Sequence, residues 1–459
     1  MKILKTSYRW INLTIAPLLG ILLVLSSCGK RTVQLDQGWT PPVKITESQN
    51  GLDGSVDLHK WHHTIILLQQ RYDRRANSST CSIMTRNNDS SNSWTQLPLT
   101  VVPGEYNFFA PAFDQDSDGI MFEQGYIEND QLMMSAIFVR LNIGREIQVE
   151  AERKWTTDKK TLLGETPPNV HINDPGKRGW PNLYVGVVSG HDAYIPFSVA
   201  GTRYQGNTIY SDEGPFKSGV FHSTDSGMTW QMERLSESRA GAGDMCRTKN
   251  YYYYFTQLDD RNLWFGRKPI NGGSWSESEP LTKKPAHVGG RDVVATEGDT
   301  IHVCWLDRRN AEWRLPSLEG PIFFENEVAY SQRKDADTGW SKDVILSKGI
   351  RDSYVPSISV EGDKIVVAWS GNQTSHAAPY VGDPNDIYYA TSNDGGKTWT
   401  KPLRVTDVAK DGITAAEPQI AVQNGVIHLF YVQGKEDPHL QVSNQGPWPV
   451  YYQQRPFPN

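Results

Sequence analysis

The 459 residues carry 46 basic and 52 acidic side chains, and the net charge of −6 argues against a nucleic-acid-binding protein, which needs a basic face. With 39 glycines, 27 prolines and 11% aromatic residues, the composition is typical of many short strands joined by turns and unlike that of a disordered chain. The four cysteines show no CxxC or Cys/His spacing, so they predict neither a disulfide framework nor a metal site, and we expect no cofactor.

The first 27 residues are predicted to be a secretory signal peptide. Lys2, Lys5 and Arg9 give a positive start, and an apolar run over residues 11–25 follows. That run is short and is interrupted by polar residues, proline and glycine, whereas a membrane-spanning helix needs about 20 predominantly apolar residues. Removing this segment would delete three basic residues and no acidic ones, which makes the remaining chain more acidic.

The letters LSSC at positions 25–28 resemble a bacterial lipobox, in which cleavage before the cysteine leaves a diacylated thioether on Cys28. Two acyl chains anchor a domain stably to a bilayer. We therefore expect a lipidated tether over residues 28–36 and a single domain over residues 37–459. Gly29 is similar to the residue found at outer-membrane sorting signals, which predicts a lipid-anchored envelope protein on the outer membrane. A plain signal peptide or an N-terminal anchor is the alternative.

Two segments of the chain are near-copies of one motif, S-x-D-x-G-x-T-W. The first consists of Ser223, Asp225, Gly227, Thr229 and Trp230, and the second of Ser392, Asp394, Gly396, Thr398 and Trp399. The Asp side chain can cap the amides of a turn, the glycine permits a tight turn, and the Trp packs below it. This motif is the Asp box, and with it the sequence resembles the sialidase-like (BNR-repeat) β-propeller superfamily.

Weaker copies of the frame recur along the chain and end in a tryptophan that heads a candidate fourth strand. The full and weaker copies together give seven such tryptophans, at Trp39, Trp94, Trp155, Trp230, Trp275, Trp340 and Trp399. In the copy that ends at Trp340, Asp335 occupies the Asp position. Each unit reads as four short strands, which is a propeller blade. The chain ends with three strands, and an orphan fourth strand follows Trp39, so the N-terminal strand is predicted to close the last blade.

This count predicts an all-β, seven-bladed propeller, with six blades, the number in sialidases of the superfamily, as the alternative. Closing the ring leaves no free sheet edge, so we expect a monomer. The connections from second to third strands are long in several blades, including those over residues 199–219 and 307–326. They are predicted to emerge on the face where the innermost strands begin, and a functional site is expected there, over the central channel.

Charged and aromatic residues gather at that face. The planar guanidinium group of Arg can donate two hydrogen bonds to a carboxylate or sulfate, and aromatic rings stack on sugars. Together these residue types indicate a binding site for an anionic glycan. The substrate-binding candidates are Arg291, Arg351, Arg308, Trp180 and Arg203. Pairing with neighbouring acids is the alternative for these arginines, and the repeated Asp-Arg-Arg at Asp307 favours blade-to-blade salt bridges for Arg308 and Arg309.

The superfamily resemblance also implies catalytic roles. Its sialidases hold the substrate carboxylate with three arginines, use a Tyr backed by a Glu as nucleophile and an Asp as acid/base. Residues of these types at the predicted face are Tyr354, Glu417 and Asp292. A Glu beside a Tyr can take its proton and make a phenolate.

The run from Asp114 to Gly119 resembles a calcium loop because carboxylates alternate in it. The terminal bidentate Glu is missing, so we predict a simple Asp-Gly hairpin turn and no metal.

Three functions remain open on the sequence alone. The first is an enzyme, a sialidase-like glycosidase or a polysaccharide lyase that acts on an anionic glycan. The second is a non-catalytic glycan-binding lipoprotein. The third is a scaffold propeller that holds a protein partner, since fold alone does not fix function.

Overall fold

The protein is seen in a computed structural model that describes most strands and their turns. The described residues are 33–45, 52–61, 64–73, 78–86, 94–103, 110–113, 119–128, 131–142, 146–157, 170–172, 182–183, 186–199, 201–205, 208–210, 217–236, 241–257, 262–282, 293–309, 326–372, 384–434 and 449–458. Within them, no helix is long and apolar enough to cross a membrane. The predicted signal peptide and Cys28 lie outside the described residues.

The first four sheets, numbered in chain order, are antiparallel. Sheet one contains β2 (Leu52–Trp61), β3 (Thr64–Asp73), β4 (Ser78–Arg86) and β5 (Trp94–Pro103), and sheet two contains β6 (Ala110–Phe113), β7 (Gly119–Glu128), β8 (Gln131–Asn142) and β9 (Glu146–Thr157). Sheet three contains β11 (Asn182–Leu183), β12 (Val187–Ser189), β13 (Asp192–Val199), β16 (Lys217–Ser223) and β17 (Gln231–Ser236). Sheet four contains β18 (Gly241–Arg247), β19 (Tyr251–Gln257), β20 (Leu263–Pro269) and β21 (Glu279–Pro280).

The remaining sheets keep the same plan. Sheet five contains β22 (Val293–Glu297), β23 (Thr300–Asp307), β24 (Glu327–Lys334) and β25 (Val344–Ile345), and sheet six contains β26 (Arg351–Glu361), β27 (Lys364–Asn372), β28 (Asp386–Ser392) and β29 (Leu403–Arg404). Sheet seven contains β30 (Thr414–Gln423), β31 (Val426–Gly434), β32 (Val450–Pro456) and β1 (Val43–Lys44). A small sheet contains β10 (Val170–Ile172), β14 (Gly201–Gln205) and β15 (Thr208–Tyr210), and a 3-10 turn spans Ala409–Asp411.

Neighbouring sheets contact one another in chain order, and β30 of sheet seven contacts β2 of sheet one. The apolar core lies between consecutive sheets. One cluster, for example, joins Trp369 of β27 to Tyr330 of β24, and both side chains are fully buried. A closed series of small antiparallel sheets packed face to face is a β-propeller. The sequence-based prediction of an all-β propeller is therefore confirmed.

The N-terminal strand completes the last sheet, as the sequence predicted. Val43 pairs with Tyr452 and Lys44 with Tyr451, antiparallel. Before it, Leu35 forms a parallel bridge to Arg404 of β29. Val33, the first described residue, packs on the core between sheets five and six.

The two full Asp boxes have the same hydrogen bonds. Ser223 Oγ donates to Asp225 at 2.8 Å, and Ser392 Oγ does the same to Asp394 at 2.8 Å. The amide and hydroxyl of the following threonine donate to the two oxygens of each Asp, at 2.8 and 2.6 Å in the first box and 2.9 and 2.6 Å in the second. Each carboxylate therefore holds its own turn closed.

Five of the seven periodic tryptophans pack on an aromatic ring of the preceding sheet. Trp399 of sheet six meets Tyr330 of sheet five edge-on with ring centroids 4.7 Å apart, and Trp340 meets Phe265 of sheet four at 5.3 Å. Further pairs of this kind are Trp275 with Tyr194 at 6.3 Å, Trp94 with Phe430 at 4.9 Å and Trp39 with Tyr389 at 5.4 Å. Trp94 of sheet one packs on sheet seven, so the same aromatic contact also joins the first sheet to the last. Edge-to-face pairs of this kind add to the free energy gained by burying the rings.

Two details differ from the sequence prediction, and a third prediction falls outside the described residues. Trp155 does not head a fourth strand, because β9 begins at Glu146 and Trp155 pairs late in it with Met134. Residues 199–219 are not simply a loop, since β14 and β15 form a hairpin within them. Asp114–Asp118 lie outside the described residues, between β6 and β7, which pair through Phe113 and Ile120.

Candidate functional site at the channel mouth

Topology separates two ends of the propeller. The turns between first and second strands, such as Gly298–Asp299 and Gly362–Asp363, hydrogen-bond to the Asp-box turns. Asp335 N–H donates to Asp299 O at 2.8 Å, and Gly395 N–H donates to Asp363 O at 3.0 Å. Both kinds of turn therefore lie at the same end of the propeller. The innermost strands begin at the opposite end, which we call the channel mouth. Side chains at the starts of β26 and β30 therefore lie at this end.

The innermost strands β26 and β30 each carry a bulge near their start. In β26 the pairing skips from Tyr354 to Ser357, and in β30 it skips from Ala416 to Gln419. The first bulged residues, Val355 and Glu417, have φ values of 46° and 51°. A β-branched or long side chain in this region is strained, and bulges next to active sites often re-aim side chains.

The bulge recurs in two other innermost strands, with a glycine at the first position. In β2 the unpaired residues are Gly54 and Ser55, and in β18 they are Gly243 and Asp244. Glycine is the residue expected at this position of a bulge because it lacks the Cβ that makes a positive φ costly. Sheets six and seven thus keep a strained non-glycine residue where other sheets use glycine, and each follows it with a proline.

The strands β26 and β30 run side by side in fixed register. Ser357 Oγ accepts from Ile420 N–H at 3.1 Å, and Ser359 Oγ accepts from Val422 N–H at 3.0 Å. Both contacts join residues 63 positions apart, and continuing this offset toward the strand starts brings Tyr354 level with Glu417. Tyr354 and Glu417, two of the three predicted catalytic residues, thus occupy corresponding positions near the starts of adjacent innermost strands.

Burial also sets Tyr354 apart from its neighbours. Its side chain is 38% exposed, although Ser353 beside it is fully buried. Its carbonyl accepts a hydrogen bond from Ser370 Oγ at 3.2 Å, which fixes the backbone to β27. Glu417 is partly buried. A fixed backbone with an accessible phenol suits a side chain that meets a ligand.

The described arginines at the end of β23 are held by local partners. Arg309 donates to Asp307 and to Asp343 at 2.8 Å, and these hydrogen bonds, above all those with Asp307, raise its pKa. All three residues belong to sheet five, so the predicted salt bridge exists within a sheet and not between blades. Arg308 Nε donates to Asn326 Oδ1 at 2.6 Å. Arg309 ties the end of β23 to the outer edge of its sheet.

The other predicted site residues are less fully described. Arg351 opens β26 opposite Asn372, and Arg203 lies in β14 between Val170 and Tyr210. Their side chains, together with Trp180, Arg291 and Asp292, lie outside the described residues. Among the described residues, no group of three His, Cys, Asp or Glu side chains is placed to hold a metal ion.

Sequence reasoning missed Asp386, a buried carboxylate at the channel-mouth end of β28. It is 2% exposed and accepts from Thr406 Oγ1 at 2.8 Å and from Val408 N–H at 2.9 Å. Burial raises its pKa in spite of these bonds. These donors follow β29, and Arg404 of β29 lies 3.6 Å from the carboxylate, so Asp386 organises the connection to sheet seven and is satisfied structurally. The only sequence signal was a Thr repeated after the outermost strand.

No family model matches the sequence, and no curated protein is significantly similar to it. The solved structures that match the fold include a polysaccharide lyase, an arabinofuranosidase and a trans-sialidase. The polysaccharide lyase Uly1 is 10% identical with a TM-score of 0.48, over 93% of this chain and 100% of its own. The GH93 α-L-arabinofuranosidase of Fusarium graminearum is 12% identical with a TM-score of 0.45, over 90% and 98%. A leech intramolecular trans-sialidase is 12% identical with a TM-score of 0.40, over 90% and 70%.

Proposed function

We propose that this chain is a lipid-anchored, seven-bladed propeller of the bacterial envelope that acts on an anionic glycan, hydrolysing or cleaving it at the channel mouth. Seven sheets in a closed series of contacts support the blade number. The LSSC sequence ending at Cys28 supports the anchor.

One observation carries the catalytic part of the proposal. Tyr354 and Glu417 lie level on adjacent innermost strands, and Glu417 occupies a bulge position where its backbone is strained. Strain of this kind costs on the order of 1–3 kcal/mol and persists where the surrounding structure over-determines it, often at active sites and ligand clamps. Glycine would relieve it, and the bulges of β2 and β18 carry glycine at the first unpaired position.

The chemistry follows from the two side chains. Glu417 accepts the phenolic proton of Tyr354. The phenolate then attacks the anomeric carbon while the glycosidic C–O bond breaks and Asp292 protonates the departing oxygen, after which water releases the sugar from Tyr354. In a lyase the phenolate instead removes the proton next to the sugar's carboxyl group, and the glycosidic oxygen leaves as a C=C double bond forms. Arg351, at the start of the same strand as Tyr354, binds the acid group of the glycan with Arg291. Arg308, Arg203 and Trp180 contact the remainder of the sugar chain, and Asp292 acts as acid/base.

Activity on sialosides, uronate polymers and sulfated glycans tests the proposal. We expect turnover on one of these classes and a loss of at least about a hundredfold in kcat/KM for Glu417→Gln and for Tyr354→Phe. Glu277→Gln, at an exposed carboxylate in sheet four, is the matched control and should retain activity. No turnover on any class, or full activity in both site variants, would refute it.

A non-catalytic glycan receptor is the second candidate. The observation in its favour is that Arg309 is committed to Asp307 and Asp343, which leaves one cation fewer for a substrate anion. Binding on a glycan array that survives Glu417→Gln and Tyr354→Phe, with no product formed, would establish this function instead.

A further inference from the structure

A groove of about 670 Å³ runs along the outer edge of sheet five, beside the Asp box of sheet six. Val344 and Ile345 of β25 form its floor, and Gly396 borders it. Three exposed lysines line it, namely Lys342, Lys348 and Lys397. It lies at the outer edge of the propeller, so it is distinct from the channel mouth.

Two carboxylates share the groove with these lysines. Asp343 pairs at 2.8 Å with Arg309, which it shares with Asp307, and Glu327 is partly buried at the start of β24, so the three exposed lysines outnumber the two carboxylates of the groove. The exposed charge of the groove is therefore positive, in a chain that is acidic as a whole. A local positive surface on an acidic protein favours an anionic partner.

The N-terminal segment reaches the same edge. Arg404 N–H of β29 donates to Gln34 O at 3.0 Å, and Val33 packs on the apolar cluster that also contacts Val344 and Trp399. Val344 belongs to the groove itself. Five residue steps separate Val33 from Cys28 in the sequence, and a fully extended chain spans about 3.5 Å per residue, so a lipid on Cys28 would tether Val33 to within about 18 Å of the anchor point.

We infer that the groove edge of sheets five and six is the surface that faces the membrane, with Lys342, Lys348 and Lys397 against anionic lipid headgroups. The inference rests on the lipid anchor of the proposed function. Basic side chains close to a bilayer are attracted to anionic lipids over about a Debye length, and the short tether keeps these lysines near the surface. The propeller then stands edge-on, so its channel mouth opens sideways along the membrane.

Spin labels on the lipidated protein test the orientation. The protein is reconstituted in phosphatidylglycerol/phosphatidylcholine vesicles that carry a nickel-chelating lipid, with a nitroxide on Lys348→Cys or on Met228→Cys. Met228 is 67% exposed in the Asp box of sheet three and is the matched control. We expect relaxation by nickel to be several-fold stronger at 348 than at 228. Equal relaxation at the two positions would overturn the proposal.

Lipid charge tests the lysines separately. The Cys28→Ser chain should bind phosphatidylglycerol vesicles about fivefold more weakly for each groove lysine changed to Gln. Lys249→Gln, at an exposed lysine of sheet four, should bind as the parent does. Unchanged binding in the triple groove variant would overturn the proposal, as would a triple variant that loses only affinity for an anionic polysaccharide.

The mass of the Cys28 peptide separates the two possible failures. A peptide without acyl chains would refute the anchor in the proposed function and this inference with it. An acylated peptide with equal relaxation at both labels would refute the orientation alone and leave the anchor standing.

Discussion

The Asp box of sheet six and its counterpart in sheet five use the same frame for different purposes. In sheet six, Asp394 binds the amide and hydroxyl of Thr398 within its own turn. In sheet five, Gly339 replaces the threonine, and Asp335 instead accepts hydrogen bonds from three residues of sheet four. These are Thr248 Oγ1 at 2.8 Å, Asn250 Nδ2 at 2.9 Å and Tyr253 Oη at 2.8 Å.

The two copies share the packing of the tryptophan but not the hydrogen bonds of the aspartate. Trp340 and Trp399 both pack on the preceding sheet, at 5.3 Å from Phe265 and 4.7 Å from Tyr330. The tryptophan therefore seals one sheet to the next in both copies, whereas the Asp is local in one copy and joins two sheets in the other. A carboxylate that has lost its local donors finds others, because a buried charge without partners is costly.

The largest effect is expected at Gly396, where the box of sheet six touches sheet five. Its φ is 84°, and a Cβ added there would lie 2.2 Å from Tyr330 Oη. Gly396→Ala combines left-handed strain with overpacking against a buried ring and should cost about 4 kcal/mol in the free energy of unfolding. Gly412→Ala, with φ 69° and nothing within 4 Å, should cost about 1 kcal/mol. Urea unfolding of the two variants measures the difference in their free energies of unfolding. Equal destabilisation by Gly396→Ala and Gly412→Ala would contradict the close approach of Gly396 to Tyr330.

The next effect separates the two aspartates. Asp335→Ala leaves three donors of sheet four without their acceptor in a buried site, and it should cost about 3 kcal/mol. Asp394→Ala removes only bonds at the exposed surface of one turn and should cost clearly less. The comparison is made by urea unfolding at pH 7. A larger loss for Asp394→Ala would show that the local bonds matter more than the bridge between sheets.

The loss of stability in acid tests the contact between sheets five and six at Tyr330, which His302 of sheet five contacts. His302 Nδ1 lies 2.7 Å from Tyr330 Oη, and burial lowers the pKa of His302 from 6.5 to about 4. Between these values the unfolded chain binds a proton that the folded chain does not, so stability falls as the pH falls. The loss in the free energy of unfolding amounts to about 3 kcal/mol once the pH reaches about 4. His302→Gln should flatten this slope, whereas His191→Gln, at an exposed histidine, should not. An unchanged slope in His302→Gln would contradict the assignment.

The repeat architecture could be predicted from the sequence because each blade repeats its apolar strands and its tryptophan. Trp39, Trp275, Trp340 and Trp399 each stand four residues before a short outermost strand, and this regularity located those strands. Trp155 misled the prediction, because a tryptophan inside a long strand looks the same in sequence as one that precedes a strand. Strand pairing, which local pattern does not specify, decides between the two cases.

The candidate site was only partly predictable. Residue type selected Tyr354 and Glu417, and strand order placed them at one end. The bulges at Val355 and Glu417 were not foreseen, because a positive φ is expected at glycine and neither residue is one. The ion-pair partners of Arg309 were also not predicted correctly. Asp307 and Arg309 were expected to join two blades, yet Asp343 of the same sheet completes the cluster.

The smallest effect concerns the full boxes in acid. Hydrogen bonds, above all that from the Thr398 hydroxyl, lower the pKa of Asp394 from 3.8 to about 2, and Asp225 behaves alike through Thr229. A lowered carboxyl pKa contributes stability above pH 3.8 that is lost as the pH falls toward 2. The stability difference between the parent and Asp394→Asn should therefore be full at pH 5 and shrink at pH 2.5, measured as urea midpoints. A difference that stays constant with pH would mean that the neutral side chain holds the turn as well as the carboxylate does.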